Sequence, residues 1–251
     1  MSDTTGTHLV LGKEVAMPVQ VRSATAFMAV FSVPTVSAQA LVAGSGLEIL
    51  QYRRGRGLCT LVFVDYLDGD LGPYNEFGVC FLVRDHDRRG GTVLQDLREL
   101  GSGGAGALIH RLPVDGDFTL AAGRGIWGFP KILADFDADH HSPTKRASVS
   151  EDGRLIAELA VAPGIPIPGA GAGATASVAA YSFLGGTLRR TGWDMNPAGM
   201  RTRIGGATLR LGTHPIADEL RSLRLPRRAL VSSSIGNLAM TFGDAVEIPG
   251  R

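Results

Sequence analysis

Short apolar segments separated by Gly, Pro and Asp clusters recur along the whole chain, a spacing that predicts many strands and few helices. Strands are expected over residues 24–31, 59–66, 76–84, 107–113, 154–161, 177–184, 208–211 and 229–233. Within 154–161, Leu155, Ala157, Leu159 and Val161 alternate onto one face while Ile156 and Glu158 face the other way. That is the pattern of a strand with one well-buried side.

Three helices are expected. Over residues 92–100, Val93, Leu97 and Leu100 fall at i, i+4 and i+7, with Thr92 placed to cap and Gly101 to terminate. After Thr213, Pro215 sits in the first turn, Asp218 and Glu219 lie near the positive end, and Ile216, Leu220 and Leu223 form one stripe. A third helix follows Pro34, over 36–43, and ends before Gly44. The run at 163–176, PGIPIPGAGAGATA, is rich in Gly and Pro but flanked by strands, so it reads as a long loop within one domain. The expected fold class is mainly β (α+β), one domain over residues 1–251.

Composition narrows the function classes. The 251 residues carry 25 Lys+Arg against 24 Asp+Glu with no basic stripe, which disfavours a nucleic-acid partner. A 44% hydrophobic content supports a sizeable core and excludes disorder throughout. The longest apolar stretch, 24–31, is far too short to span a bilayer, and the first fourteen residues lack a basic segment leading into an apolar one. A cytoplasmic protein with no membrane partner is expected. Cys59 and Cys80 match neither a metal-ligand spacing nor a disulfide framework and read as small buried hydrophobes.

Several motifs invite chemistry and lack its context. Gly101, Gly103 and Gly106 spell GxGxxG, but a helix precedes them and a strand follows, the reverse of a dinucleotide-binding turn. Asp135, Asp137, Asp139, His140 and His141 could offer metal ligands, yet no known metal loop fits DFDADHH, and a solvated strand end is the favoured reading. Ser232, Ser233 and Ser234 lack the glycine pattern of a nucleophile elbow.

Lys131 is different. Only three lysines occur, Lys13, Lys131 and Lys145, and Lys131 alone lies in an apolar run, with Ile126, Trp127, Gly128, Phe129, Pro130, Ile132 and Leu133 around it. An amine held among such groups loses hydration, which disfavours the ammonium and prepares a neutral nucleophile of the Schiff-base type. The competing reading is a snorkelling lysine whose stem covers Trp127 or Phe129 while its head reaches water, and composition alone favours it.

The segment GRGIWGFPK, from Gly123 and Arg124 to Lys131, resembles the active-site signature of the acetoacetate decarboxylase family, whose lysine forms the Schiff base. LGPYNE, from Leu71 to Glu76, resembles the family segment that supplies an active-site glutamate. VSSS at 231–234 and the pattern from Gly205 through His214 and Pro215 are similar to further family landmarks. The resemblance runs from about Phe27 to the C-terminus. It implies an antiparallel β-barrel core with a few peripheral helices, commonly assembled as a homo-oligomer. It also implies no metal and no cofactor, since the lysine is itself the electron sink.

The resemblance assigns Lys131 as nucleophile and Glu76 as the proton-transferring or orienting carboxylate, where the residues alone leave Glu76 as a solvated turn carboxylate. Arg124 is placed to bind a substrate carboxylate or, more in keeping with its position, to brace the loop. Trp127 and Phe129 are expected to wall the pocket, although core packing explains their size equally well. The family's carboxylate-binding arginine aligns with Ala24, and Arg22, two residues earlier, could share its strand face. Three further positions depart from the family. Gly125 replaces an acidic residue, Leu61 a glutamate, and Ile132 the second lysine that follows the first. The family is the standard example of a lysine activated beside another cation, so here desolvation must do that work alone. The expected function is a carbon–carbon lyase, a decarboxylase-like enzyme acting on a small-molecule keto acid through Lys131. The alternatives are an aldolase or dehydratase using the same lysine on a larger keto acid, and a noncatalytic small-molecule binding protein.

Overall fold

A computed structural model describes residues 6–88, 90–167 and 175–249. The chain opens with a hairpin of β1 (Thr7–Val10) and β2 (Lys13–Ala16), followed by the long strand β3 (Val19–Pro34) and helix α1 (Thr35–Val42). Next come β4 (Arg56–Gly69), β5 (Tyr74–Val83), α2 (Val93–Ser102), β6 (Gly106–Val114), α3 (Asp117–Ile126) and β7 (Lys131–Leu133). The second half holds β8 (Asp135–Asp139), β9 (Lys145–Glu151), β10 (Arg154–Val161), β11 (Ile165–Pro166), β12 (Ala176–Leu184), β13 (Thr187–Ala198), β14 (Arg201–Ile204) and β15 (Ala207–Leu211). Helix α4 (Pro215–Ser222), β16 (Val231–Ile235) and β17 (Asn237–Ile248) complete the order.

Seven strands close into a barrel in the order β3-β17-β13-β12-β6-β5-β4, with β4 returning to β3. All these pairings are antiparallel except β12 with β6, and β7 adds to β6 in parallel. A second antiparallel sheet, β15-β10-β9-β8, covers part of the barrel's outer wall. Strands β3, β4 and β5 are therefore buried on both faces. Phe27, Phe31, Phe63, Phe77 and Phe81 point outward to meet Val149, Ile156 and Leu159 of the second sheet. Ala26, Met28, Val62, Val64 and Tyr66 point into the barrel. Alternation divides one set of strands between two cores.

The three expected helices form. Helix α4 starts on His214, whose side chain accepts the N–H of Ile216, and buries Ile216, Leu220 and Leu223 as its stripe predicts. Thr92 and Gln95 cap α2 reciprocally. That helix runs through Gly101 to Ser102, because the left-handed turn falls at Gly103, at φ 74°. Its apolar stripe does not dock it either. Leu97 is exposed, and the anchor is buried Asp96, which accepts from Arg84 and from the Gln51 N–H. A register shift between Leu155 and Ala157 also breaks the expected face of β10, so that Ile156 is buried and Leu155 leaves the face of Ala157, Leu159 and Val161.

The helix-before-strand order around Gly101–Gly106 is confirmed by α2 and β6. Asp135, Asp137 and Asp139 lie exposed on β8, while His140 turns inward onto Thr25 and the Phe27 ring. No metal-binding group of three such side chains occurs among the described residues. Ser232 and Ser233 sit buried on β16, bonded to the Gly205 carbonyl and to Thr202. Of the loop expected at 163–176, residues 168–174 lie outside the described residues, and Ile165–Pro166 pairs with β14. No described helix is long and apolar enough to cross a membrane.

Candidate active site

The lysine is positioned by a segment that the sequence pattern did not assign to a helix. In α3, Thr119, Ala122, Gly123 and Ile126 are buried at i, i+3, i+4 and i+7, a core-facing stripe disguised by its small residues. Gly123 is required there, because a Cβ at that position would lie 2.6 Å from both Cδ and Cε of Lys131. The chain then reverses. Gly128 takes φ +64°, the Phe129 N–H returns to the Gly123 carbonyl, and the indole N–H of Trp127 donates to the Gly243 carbonyl. Arg124 donates to the carbonyl of Lys131 at 2.9 Å and so braces this turn. Gly123, Arg124, Trp127, Gly128 and Phe129 thus shape the turn that aims one side chain.

Lys131 Nζ ends up buried inside the barrel, 3.0 Å from Oε2 of Glu76, and donates to Oγ1 of Thr119 at 2.7 Å. It also lies 4.8 Å from the centre of the Tyr74 ring. Glu76, itself buried, accepts the hydroxyl of Tyr66 at 3.0 Å on its other oxygen, and the Tyr66 and Tyr74 rings stack at 4.1 Å. Desolvation lowers the Lys131 pKa below the ordinary lysine range, partly opposed by the Glu76 carboxylate. Burial, reinforced by the Glu76 charge, holds both tyrosine hydroxyls well above theirs.

Around this polar cluster lies a cavity of about 110 Å³ whose wall includes Val21, Met28, Leu112, Trp127, Phe129 and Phe242. The barrel therefore gathers Lys131, Glu76, Trp127 and Phe129 at one site. It does not gather the arginines. Arg124 is absent from the cavity wall, and Arg22 is exposed on the outside, where its guanidinium bonds Asp68 and Asp70. Register shifts on either side of Ser23 move the strand out of phase, so Arg22 points out although Ala24 is buried inside. Leu61 faces the outer layer, and Ile132 packs there too, on the opposite side of β7 from Lys131. Cys59 is buried in the outer layer; Cys80 lines the cavity, and burial pushes its thiol up to about 12.

Tyr66, Tyr74 and Thr119 belong to the cluster and were not expected from the sequence. A signal for two of them existed. Tyr74 lies two residues before Glu76, on the same face, and Tyr66 is its direct partner across the β4–β5 ladder. Thr119 was hidden with its helix.

A closed, mainly antiparallel barrel thus encloses a lysine–glutamate pair in an apolar cavity. Residues 11–247 match the family described as acetoacetate decarboxylase, and the chain belongs to that family. No curated protein sequence matches it. Among solved structures it is similar to the acetoacetate decarboxylase of Legionella pneumophila subsp. pneumophila str. Philadelphia 1, with TM-score 0.67 and 18% identity over 92% of this chain and 87% of that one. It is also similar to the enduracididine biosynthesis enzyme MppR, complexed with the condensation product of pyruvate and imidazole 4-carboxaldehyde, with TM-score 0.65 and 14% identity over 98% of each chain. An acetoacetate decarboxylase-like enzyme from Sphingomonas wittichii RW1 gives TM-score 0.58 and 14% identity over 99% of this chain and 100% of that one. At these identities the likeness is one of fold.

Proposed function

We propose that the protein is a Schiff-base enzyme in which Lys131 converts a carbonyl substrate into an iminium. The observation that carries this reading is the Lys131 Nζ, buried in an apolar cavity 3.0 Å from the Glu76 carboxylate. Burial disfavours both charges, and one proton passed from Nζ to Oε2 leaves a neutral pair and a free amine lone pair. The amine adds to the carbonyl carbon while the carbonyl oxygen takes the proton held by Glu76. Glu76 then takes a proton from the added nitrogen and passes it to the carbinol hydroxyl, which leaves as water while the freed nitrogen lone pair forms the C=N bond of the iminium, leaving Glu76 as the carboxylate. A bond one carbon away then breaks, its electron pair flowing into the iminium to give an enamine. Protonation of that enamine at carbon and hydrolysis release the product and restore the amine.

Family membership supports carboxylate as the leaving group, departing as CO2 from a keto acid, and hence a carbon–carbon lyase. A second outcome uses the same lysine and breaks a bond to hydrogen or to a carbinol carbon, giving aldol or dehydration chemistry. It is favoured by a cavity wall that carries no arginine among the described residues. Glu76 is the proton-transfer group in either case. Tyr66 orients Glu76, and Thr119 holds the amine.

Intact-protein mass after borohydride reduction with a panel of keto acids and aldehydes tests the reading. A stable adduct is expected in the wild type and none in Lys131→Met, which keeps most of the stem but removes the nucleophile. An adduct of equal yield in the variant would sink the mechanism.

A further inference from the structure

Within the Schiff-base reading above, and in place of its decarboxylation outcome, we infer that the cavity takes an uncharged, apolar ketone or aldehyde and excludes a substrate bearing a free carboxylate. Among the described residues on its wall, Lys131 and Glu76 are the only ones of opposite formal charge, and they already balance one another. Forming an iminium from a neutral carbonyl keeps that balance, because the positive nitrogen still faces one carboxylate. A substrate carboxylate would add a second negative charge with no second cation to meet it. In a water-poor apolar site such an unpaired charge is strongly disfavoured.

The arginines beside this region are committed elsewhere, Arg189 to Glu247 among them. Arg22 is tied to Asp68 and Asp70 outside the barrel, and Arg124 to the carbonyl of Lys131. Tyr66 donates to Glu76, and its hydroxyl is neutral. Trp193 lines the cavity, and its indole N–H is buried without a partner among the described residues. A single neutral N–H of that kind does not compensate a carboxylate. Apart from the neutral Tyr74 hydroxyl and Cys80 thiol, the rest of the wall is aliphatic, thioether and aromatic, with Met28, Met195 and Met240 offering polarisable surface to an alkyl or aryl chain. For such a substrate the bond that breaks is to hydrogen or to a carbinol carbon, with Glu76 taking the proton, so aldol-type chemistry follows.

The test uses a matched pair of probes. Levulinate and 5-methyl-2-hexanone share the same methyl ketone and differ only in a terminal carboxylate, ionised at pH 7, against an isopropyl group of the same shape. Both tryptophans of the chain, Trp127 and Trp193, line the cavity, so intrinsic fluorescence reports its occupation directly. Binding of the ketone at least tenfold tighter than levulinate is expected, with the larger borohydride adduct also on the ketone. Levulinate binding as tightly as the ketone, or neither probe binding, would overturn the inference. Selective binding of the ketone with no adduct would leave the exclusion of carboxylates standing and remove the Schiff-base reading instead.

Discussion

The two faces of β3, β4 and β5 make opposite use of the same strands. Outward, Phe27, Phe31, Phe63, Phe77 and Phe81 interlock with the second sheet, and the Phe63 and Phe77 rings meet at 4.6 Å. Inward, Met28, Val62, Glu76, Gly78 and Cys80 leave a cavity of about 110 Å³ and hold a buried charged pair at its edge. Gly78 keeps that space open, since a Cβ there would lie 2.9 Å from Val62. The outer layer supplies stability through complete packing, and this allows the inner layer to keep a void and desolvated charges, both of which cost stability. Neighbouring residues in one strand thus serve stability and chemistry in alternation.

The largest effect expected from breaking this division is on the outer side. Phe63→Ala should cost about 3–5 kcal/mol in urea unfolding, while the protein that remains folded still forms the Lys131 adduct. Loss of trapping in the folded fraction would show that the two faces are not separable.

Acid should probe the same layer next. His140 packs on Phe27, and burial, then the charges of His141 and Lys145, lower its pKa to about 4. Between that value and the unfolded value near 6.5 the unfolded chain binds the extra proton. Its contribution is therefore present above pH 6.5 and is lost as pH falls through 4. Wild type should lose up to about 3 kcal/mol more than His140→Gln over that window in urea unfolding, and parallel curves would remove His140 as the cause.

The smallest effect tests the inner face. Tyr66→Phe removes the donor to Glu76 and should slow adduct formation about tenfold while lowering stability by about 1 kcal/mol. An unchanged trapping rate would make Tyr66 a packing residue only.

How far the sequence could be read depended on how local each signal was. The α4 stripe was legible because its cap, its proline and its apolar spacing lie within one short segment. For α2 the cap was legible but the docking was not, since Asp96 is held by Arg84 and the Gln51 backbone, distant in the chain. Helix α3 escaped because two glycines and two alanines mask its buried stripe. Arg22 shows the same limit on a strand, where counting by twos from Ala24 fails across register shifts that depend on pairing with β4.

By itself the sequence determined the β-rich alternation, three short helices, two of them locally capped, and the one lysine set among apolar residues, because each rests on neighbours along the chain. Only the tertiary structure decided that Glu76, Thr119 and Tyr74 converge on Lys131 and that Tyr66 meets Glu76 from the next strand. It likewise decided that Arg22 turns outward. Which side chains share the inside of a closed barrel depends on strand order and register, and those are fixed by pairings between segments far apart in the chain.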